Sequence, residues 1–375
     1  MRYFIIAGEQ SGDLHGSNLI RGILDRDKSA EIQCWGGDLM ADAGATLLVH
    51  YEKMAFMGFV AVVKNLGAIR KNLSICKEQI LEFKPDVVIF IDYPGFNLRI
   101  AEFAKNEGFR TFYYISPKLW AWNEGRVKKV KRFVDRMFII FPFEEEFYRK
   151  HGISVTYYGN PLVDETEKKI ESFPEKNEIF NSIGLEEQPV IALLAGSRRH
   201  EIEHVLPEMI KVIPSFSGYR FILAGVKNIP DDFYKKIIGD APVLLVKEKT
   251  YELLHISVGA LVTSGTATLE AALIGSPQVV CYKGDFFSMV IALIVIKVKY
   301  ISLVNLIMGM ETIKELVQYD LNEKNIITEL KAILPGGDKR DKIIADYKVL
   351  KTKLGPAGAS GRIAQEMVEE LKQIY

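Results

Sequence analysis

The sequence predicts an α/β protein of two Rossmann-like, doubly wound parallel-sheet domains that face each other across a cleft. Three observations predict it. Short runs rich in β-branched residues alternate with longer helical patterns. The alternation breaks after Asn160-Pro161 and restarts at Val190. At 375 residues the chain is also too long for one ordinary core and suits two α/β domains.

The strand candidates of the first half are Tyr3 to Ala7, Ile32 to Trp35, Val87 to Ile91, Thr111 to Ile115, Met137 to Phe141 and Val155 to Tyr158. These runs are continuously apolar, as expected of parallel strands covered by helices on both faces. A first domain over residues 1–163 is expected, followed by a charged stretch from Asp164 to Lys176. The second domain, residues 164–358, takes its strands from Val190 to Leu194, Phe221 to Ala224, Val243 to Val246, Ala260 to Thr263 and Val279 to Tyr282. The tail from Ala359 to Tyr375 carries apolar residues at helical spacing, Ile363, Met367, Val368 and Leu371; such a tail could pack back on the first domain, which spacing alone does not show.

Composition narrows the function classes. Lys plus Arg equals Asp plus Glu at 48 each, so no long-range field favours nucleic acid, and anionic ligands must be held by local clusters. Cys34, Cys76 and Cys281 form no C-x-x-C pair, which argues against a disulfide framework and a thiolate metal site and fits a reducing cytosol. The run Met1 to Gly8 reads as a buried first strand and not as a signal peptide. The apolar segment Phe286 to Ile296 is about half the roughly 20 residues that span a bilayer, so an integral membrane protein is not expected.

Chemistry-bearing residues fall where strands run into helices. The first strand enters Gly8-Glu9-Gln10-Ser11-Gly12-Asp13, whose glycines allow a tight turn and close ligand approach. It lacks the G-x-G pair of a dinucleotide site, and the bland alternative is a strand-to-helix turn with Asp13 near the helix N-terminus. Asp92 ends the run Val87 to Ile91; it is a candidate general base, or else a cap of the next helix. Trp120 and Trp122, in Ser116-Pro117-Lys118-Leu119-Trp120-Ala121-Trp122, suit a sugar or acyl wall and equally a packed core. In the second half, Gly196, Ser197 and Arg198 join strand to helix as a candidate diphosphate site. Ser264, Gly265 and Thr266 offer hydroxyls and amides to phosphate, and Glu270 one turn later could accept from ribose hydroxyls; a simple N-cap with a solvated glutamate is the alternative.

The stretch His200-Glu201-Ile202-Glu203-His204 has the H-E-x-x-H spacing of a zinc protease. A catalytic zinc needs a third protein ligand, and no downstream motif supplies one, so no metal is expected. Two apolar segments could meet a membrane or acyl chains: Met54 to Val63, with Met57 and Phe59, and Asp285 to Lys297, with Phe286 and Phe287. A buried helix is the alternative for both. The basic run Arg126 to Arg132 could meet anionic heads or form a solvated helix face.

Taken in order, Gly8 to Asp13, Ile91-Asp92-Tyr93-Pro94-Gly95-Phe96-Asn97, Ser116 to Trp122, Gly196-Ser197-Arg198 with Glu201, Ser264 to Glu270, and Tyr300-Ile301-Ser302-Leu303-Val304-Asn305 resemble the lipid-A-disaccharide synthase family along nearly the whole chain. The resemblance implies a GT-B-like fold, no metal and no cofactor, with nucleotide held mainly by the second domain. It implies transfer of 2,3-diacylglucosamine from UDP to the 6-hydroxyl of 2,3-diacylglucosamine 1-phosphate, with inversion to a β-1,6 link. Asp92 or Glu9 would be the base, Arg198 and the helix N-termini after Gly196 and Ser264 would hold the diphosphate, and Asn305 would donate to phosphate or orient the sugar. The implied partners are the two acylated sugars and the inner face of the cytoplasmic membrane, met as a cytoplasmic peripheral protein; a homodimer is left open. An epimerase acting on UDP-N-acetylglucosamine is the competing reading of the same architecture. The chain departs from the family's pattern at Gly95, where a second aspartate is usual, and at Val304, where proline is frequent. Gly95 therefore carries no carboxylate role.

Overall fold

The computed structural model describes residues 1–54, 66–122, 124–284 and 299–373. Met57, Phe59, Phe286 and Phe287 lie outside the described residues, as does the Trp122 side chain. The chain divides into two compact units, one of Met1–Pro161 with Pro356–Tyr375 and one of Leu162–Gly355.

The first unit runs β1 (Arg2–Ala7), α1 (Gln10–Arg26), β2 (Glu31–Gly36), α2 (Asp38–Asp42), β3 (Thr46–His50), α3 (Leu66–Phe83), β4 (Val87–Ile91), α4 (Pro94–Asn106), β5 (Arg110–Tyr114), α5 (Leu119–Trp122), α6 (Val127–Phe133), β6 (Arg136–Ile139), α7 (Phe143–Lys150) and β7 (Thr156–Tyr157). Its parallel sheet has the order β3-β2-β1-β4-β5-β6-β7. All five side chains of β4 are fully buried, because helices cover both faces of a central parallel strand. Phe4, Ile6, Val88, Phe90 and Tyr113 form the centre of one core layer.

The second unit runs α8 (Pro161–Glu171), α9 (Lys176–Ser182), β8 (Val190–Leu194), α10 (Arg199–Lys211), β9 (Arg220–Gly225), α11 (Asp231–Ile238), β10 (Val243–Lys247), α12 (Thr250–Ile256), β11 (Ser257–Thr263), α13 (Thr266–Ile274), β12 (Gln278–Tyr282), α14 (Leu303–Met308), β13 (Glu315–Val317), α15 (Glu323–Ile333) and α16 (Arg340–Leu354). Its sheet order is β10-β9-β8-β11-β12-β13, again all parallel. The last helix, α17 (Ala359–Lys372), returns to the first unit. There it packs on α1 so closely that a Cβ on Gly22 would lie 2.8 Å from the Ala364 methyl. Ser360 and Tyr114 share a hydroxyl contact at 3.2 Å, and Arg136 pairs with Glu366 and Glu370.

Two strands escape the sequence reading. β3 is a half-buried edge strand behind a Gly-Ala turn, and β13 is three residues long, so neither displays the continuous apolar run that marks the others. In both sheets the strand order reverses beside the first strand, between β1 and β4 and between β8 and β11. Ligands of doubly wound sheets bind at the carboxyl ends of such strand pairs.

Candidate active site

Ala7 pairs with Ile91, so the chain leaves β1 into Gly8-Glu9 and β4 into Asp92-Tyr93 side by side. Gly8 must be glycine: a Cβ there would sit 2.3 Å from the Tyr93 ring, which the fold lays flat over it. That ring lies beside Phe96, and its hydroxyl donates to the Met54 carbonyl at 2.8 Å. Glu9 is the extended residue before α1; burial first, and then the Glu9 charge, push the Tyr93 phenol up. Asp92 and Tyr93 are both left-handed, at φ 43° and 47°, and Ile115 at the end of the neighbouring strand has φ 61°. Each non-glycine residue held this way costs about 1–2 kcal/mol, most for the branched isoleucine, and such strain gathers at functional sites. Burial pushes the Asp92 carboxyl above its ordinary range, while the Lys118 charge and the Tyr93 amide pull it back.

Asp13 lies apart from that chemistry. Its buried carboxylate accepts from the amides of Gly37, Leu39 and Met40 and so caps α2, a partner outside its own helix. His15 is neutral, its pKa lowered by burial to about 4, and its Nδ1 has no partner among the described residues.

Sequence reasoning missed Glu144. This buried carboxylate accepts from the Ser116 hydroxyl at 2.5 Å, the Trp120 indole at 3.0 Å, and the amides of Ile140 and Phe141 at 3.3 and 3.1 Å. Burial raises its pKa to about 7 against the pull of those donors. Trp120 therefore has its indole N–H committed within the unit, and its ring meets Phe143 edge-on. A signal existed in the sequence: of Glu144, Glu145 and Glu146, only Glu144 lies four residues before the buried Tyr148, on the same helical face.

In the second unit, β8 is followed by Gly196-Ser197-Arg198, and α10 begins at Arg199. The expectation that these amides stand ready for phosphate needs correction. Glu201 folds back so that its carboxylate accepts from the Ser197 and Arg198 amides at 3.0 and 3.3 Å, satisfying donors that a helix start leaves unpaired. The Arg198 side chain is 63% exposed and pairs with Glu201 at 3.4 Å, so it can swing to an anion. The same contacts remove Glu201 from any zinc chemistry. His204 Nδ1 faces the His200 carbonyl at 2.7 Å, and among the described residues no group of three His, Cys, Asp or Glu side chains could hold a metal ion.

At the end of β11 the Ser264 hydroxyl donates to the Ile301 carbonyl at 2.8 Å. Gly265 precedes α13 with open space where a side chain would begin, and Thr266 is exposed, so this helix start is accessible. Glu270 is half-buried; burial first, then the Glu165 charge, raises its pKa to about 7, and Tyr251 beside it pulls it down. Glu165 and Tyr251 were not foreseen, because they reach Glu270 from α8 and α12, distant in sequence.

Asn305 is a second correction. It is fully buried; its amide donates to Ile313 O and Glu315, and its Oδ1 accepts from the amides of Thr312 and Ile313. Every side-chain hydrogen bond is used inside its own loop, so nothing remains for a phosphate. The basic run is largely a helix face: Val127, Val130 and Phe133 of α6 are buried, Lys129 pairs with Glu102, and Lys131 donates to the His151 carbonyl.

Two parallel sheets of this order, each with its polar residues at the switch point, define a GT-B-type fold. A UDP-GlcNAc 2-epimerase from Neisseria meningitidis bound to UDP-GlcNAc has a similar fold, with TM-score 0.67, 14% identity, and 98% of this chain and 100% of that one covered. So has the glycotransferase of kitacinnamycin, with TM-score 0.65, 11% identity, and 99% and 98% covered. At such identities the likeness establishes the fold and does not choose between the two chemistries. Sequence does choose. Residues 3–365 match the lipid-A-disaccharide synthetase family, and the lipid-A-disaccharide synthase of Syntrophus aciditrophicus (strain SB) is 37% identical over 368 residues, with 96% of this chain and 95% of that protein covered. The chain belongs to the lipid-A-disaccharide synthetase family, and it is a glycosyltransferase.

Proposed function

We propose that the chain joins two acylated glucosamines, transferring 2,3-diacylglucosamine from UDP to the 6-hydroxyl of 2,3-diacylglucosamine 1-phosphate. The observation that carries the mechanism is the half-buried Asp92 carboxyl, raised in pKa and held at a strained strand end. Ionised Asp92 accepts the proton of the acceptor hydroxyl as its oxygen attacks the anomeric carbon. A new C–O bond forms on the face opposite the leaving group, the bond to the β-phosphate oxygen breaks, and UDP departs with both bonding electrons. The anomeric configuration inverts, giving the β-1,6 disaccharide 1-phosphate. Arg198 and the amides at the start of α13 hold the departing diphosphate, and Glu270 accepts from the ribose hydroxyls. Glu9, beside Asp92, is the alternative base.

Substrates with acyl chains bring the protein to the inner face of the cytoplasmic membrane as a peripheral partner. Support comes from the sequence, since Phe286 to Ile296 is apolar and Lys297 follows it. No helix among the described residues is long and apolar enough to cross a membrane.

Mass spectrometry of products from UDP-2,3-diacylglucosamine and 2,3-diacylglucosamine 1-phosphate tests the reaction. The expected result is a tetraacyl disaccharide 1-phosphate with one UDP released per product. Conversion of a UDP-sugar to its 2-epimer without an acceptor would establish the epimerase reading instead.

A further inference from the structure

We propose that Asn97 and Tyr113 are positioning residues for the Asp92 carboxylate, a role that rests on the reading of Asp92 as the base. Two consecutive left-handed residues that are not glycine stay in place only when their surroundings hold them. What holds this pair is one carbonyl. Asp92 O accepts from Asn97 Nδ2 at 2.8 Å and from the Tyr113 hydroxyl at 2.5 Å, one donor from the following helix and one from the neighbouring strand. The Asp92 N–H is shared between the carbonyls of Tyr114 and Ile115 at 3.3 and 3.2 Å. Asn97 Nδ2 also lies 3.2 Å from Ile91 O and 3.4 Å from Ile6 O, so a single amide gathers the ends of β1 and β4.

These contacts fall on the backbone of Asp92 and leave its carboxylate alone. By fixing the peptide between Asp92 and Tyr93 they fix the direction of the Asp92 Cα–Cβ bond, and with it where the carboxylate points. Asn97 serves through its donors only: its Oδ1 is buried without a partner among the described residues, a loss the fold accepts to keep the amide against three carbonyls. Tyr113 is fully buried, so its hydroxyl has no water to turn to. Glycine at 92 and 93 would have adopted the same backbone without strain. The chain instead keeps a carboxylate and a tyrosine there and commits two buried donors to holding them.

The test is a double-mutant cycle on kcat with Tyr113→Phe, which deletes one hydroxyl and keeps the ring, in the parent and in an Asp92→Asn background. In the parent, kcat falls roughly ten- to a hundredfold with KM, UDP affinity and melting temperature little changed, as a misdirected catalytic group predicts. The acid limb of the kcat–pH profile moves to lower pH, because a released Asp92 is better solvated. In the Asp92→Asn background the same substitution costs nothing further. Asn97→Ala, checked for folding by its melting temperature, repeats the pattern through the second donor. Parental kcat in Tyr113→Phe, or an equal loss in both backgrounds, overturns the positioning role while leaving Asp92 as the base. Near-parental turnover in Asp92→Asn alone removes the base assignment and the proposal with it.

Discussion

The switch point of the first sheet is braced from within, whereas at that of the second Glu201 fills the amides after β8 and the start of α13 is left open. At β1/β4, two non-glycine residues are left-handed, with a third at the end of the adjoining β5, a tyrosine ring lies on Gly8, and two side-chain donors grip one carbonyl. At β8/β11, Arg198 is mostly exposed and Gly265 has open space around it. The sheets share the same strand order apart from the seventh strand of the first, so topology does not produce the contrast. Chemistry does. A general base works when its carboxylate is desolvated and aimed in advance, which requires a rigid, strained support. A diphosphate brings its own charge and needs accessible backbone donors and a movable cation that it can take from water.

Asp92→Asn sharpens the comparison most. It should lower turnover by roughly two to four orders of magnitude, measured by product formation under saturating substrates. Near-normal turnover would move the base to Glu9 or His15. Next comes Arg198→Ala, which should lower kcat/KM by roughly a hundredfold through lost stabilisation of the leaving group. An unchanged kcat/KM would assign the diphosphate to α13 alone.

The smallest effect concerns stability. Glu144 is raised from 4.5 to about 7 by burial, so the native state holds its proton more tightly than the unfolded chain does. Its contribution is therefore complete below about pH 4.5 and is lost as pH rises through about 7, to the extent of roughly 3 kcal/mol. Denaturant titrations of Glu144→Gln across this range should lack that decline. A parallel decline in the variant would place the titration elsewhere.

Much of the fold was legible because central parallel strands advertise themselves. Val87 to Ile91 and Val190 to Leu194 are unbroken apolar runs, and both are strands over those very residues. Edge strands β3 and β13 are short or half-buried and carry no such run. The spacing of Ile363, Met367, Val368 and Leu371 gives α17 its buried face, but that the face meets α1 is a tertiary fact. The candidate site was legible only as residue types at strand ends. Asp92 and Arg198 sit at such ends, yet nothing local tells that Glu201 fills the amides beside Arg198 or that Asn305 spends its hydrogen bonds on residues 312–315. The supports of Asp92 were harder still, since Tyr113 and Asn97 reach it from a different strand and from the next helix.

The central claim is a division of labour, chemistry at the first switch point and nucleotide at the second, and a calorimetric titration of UDP into Asp92→Asn tests it most directly. Affinity within about twofold of the parent protein is expected, because Arg198, Gly265 and Glu270 are untouched. A loss of UDP binding of tenfold or more, roughly 1.4 kcal/mol, would contradict it by making Asp92 part of the nucleotide site.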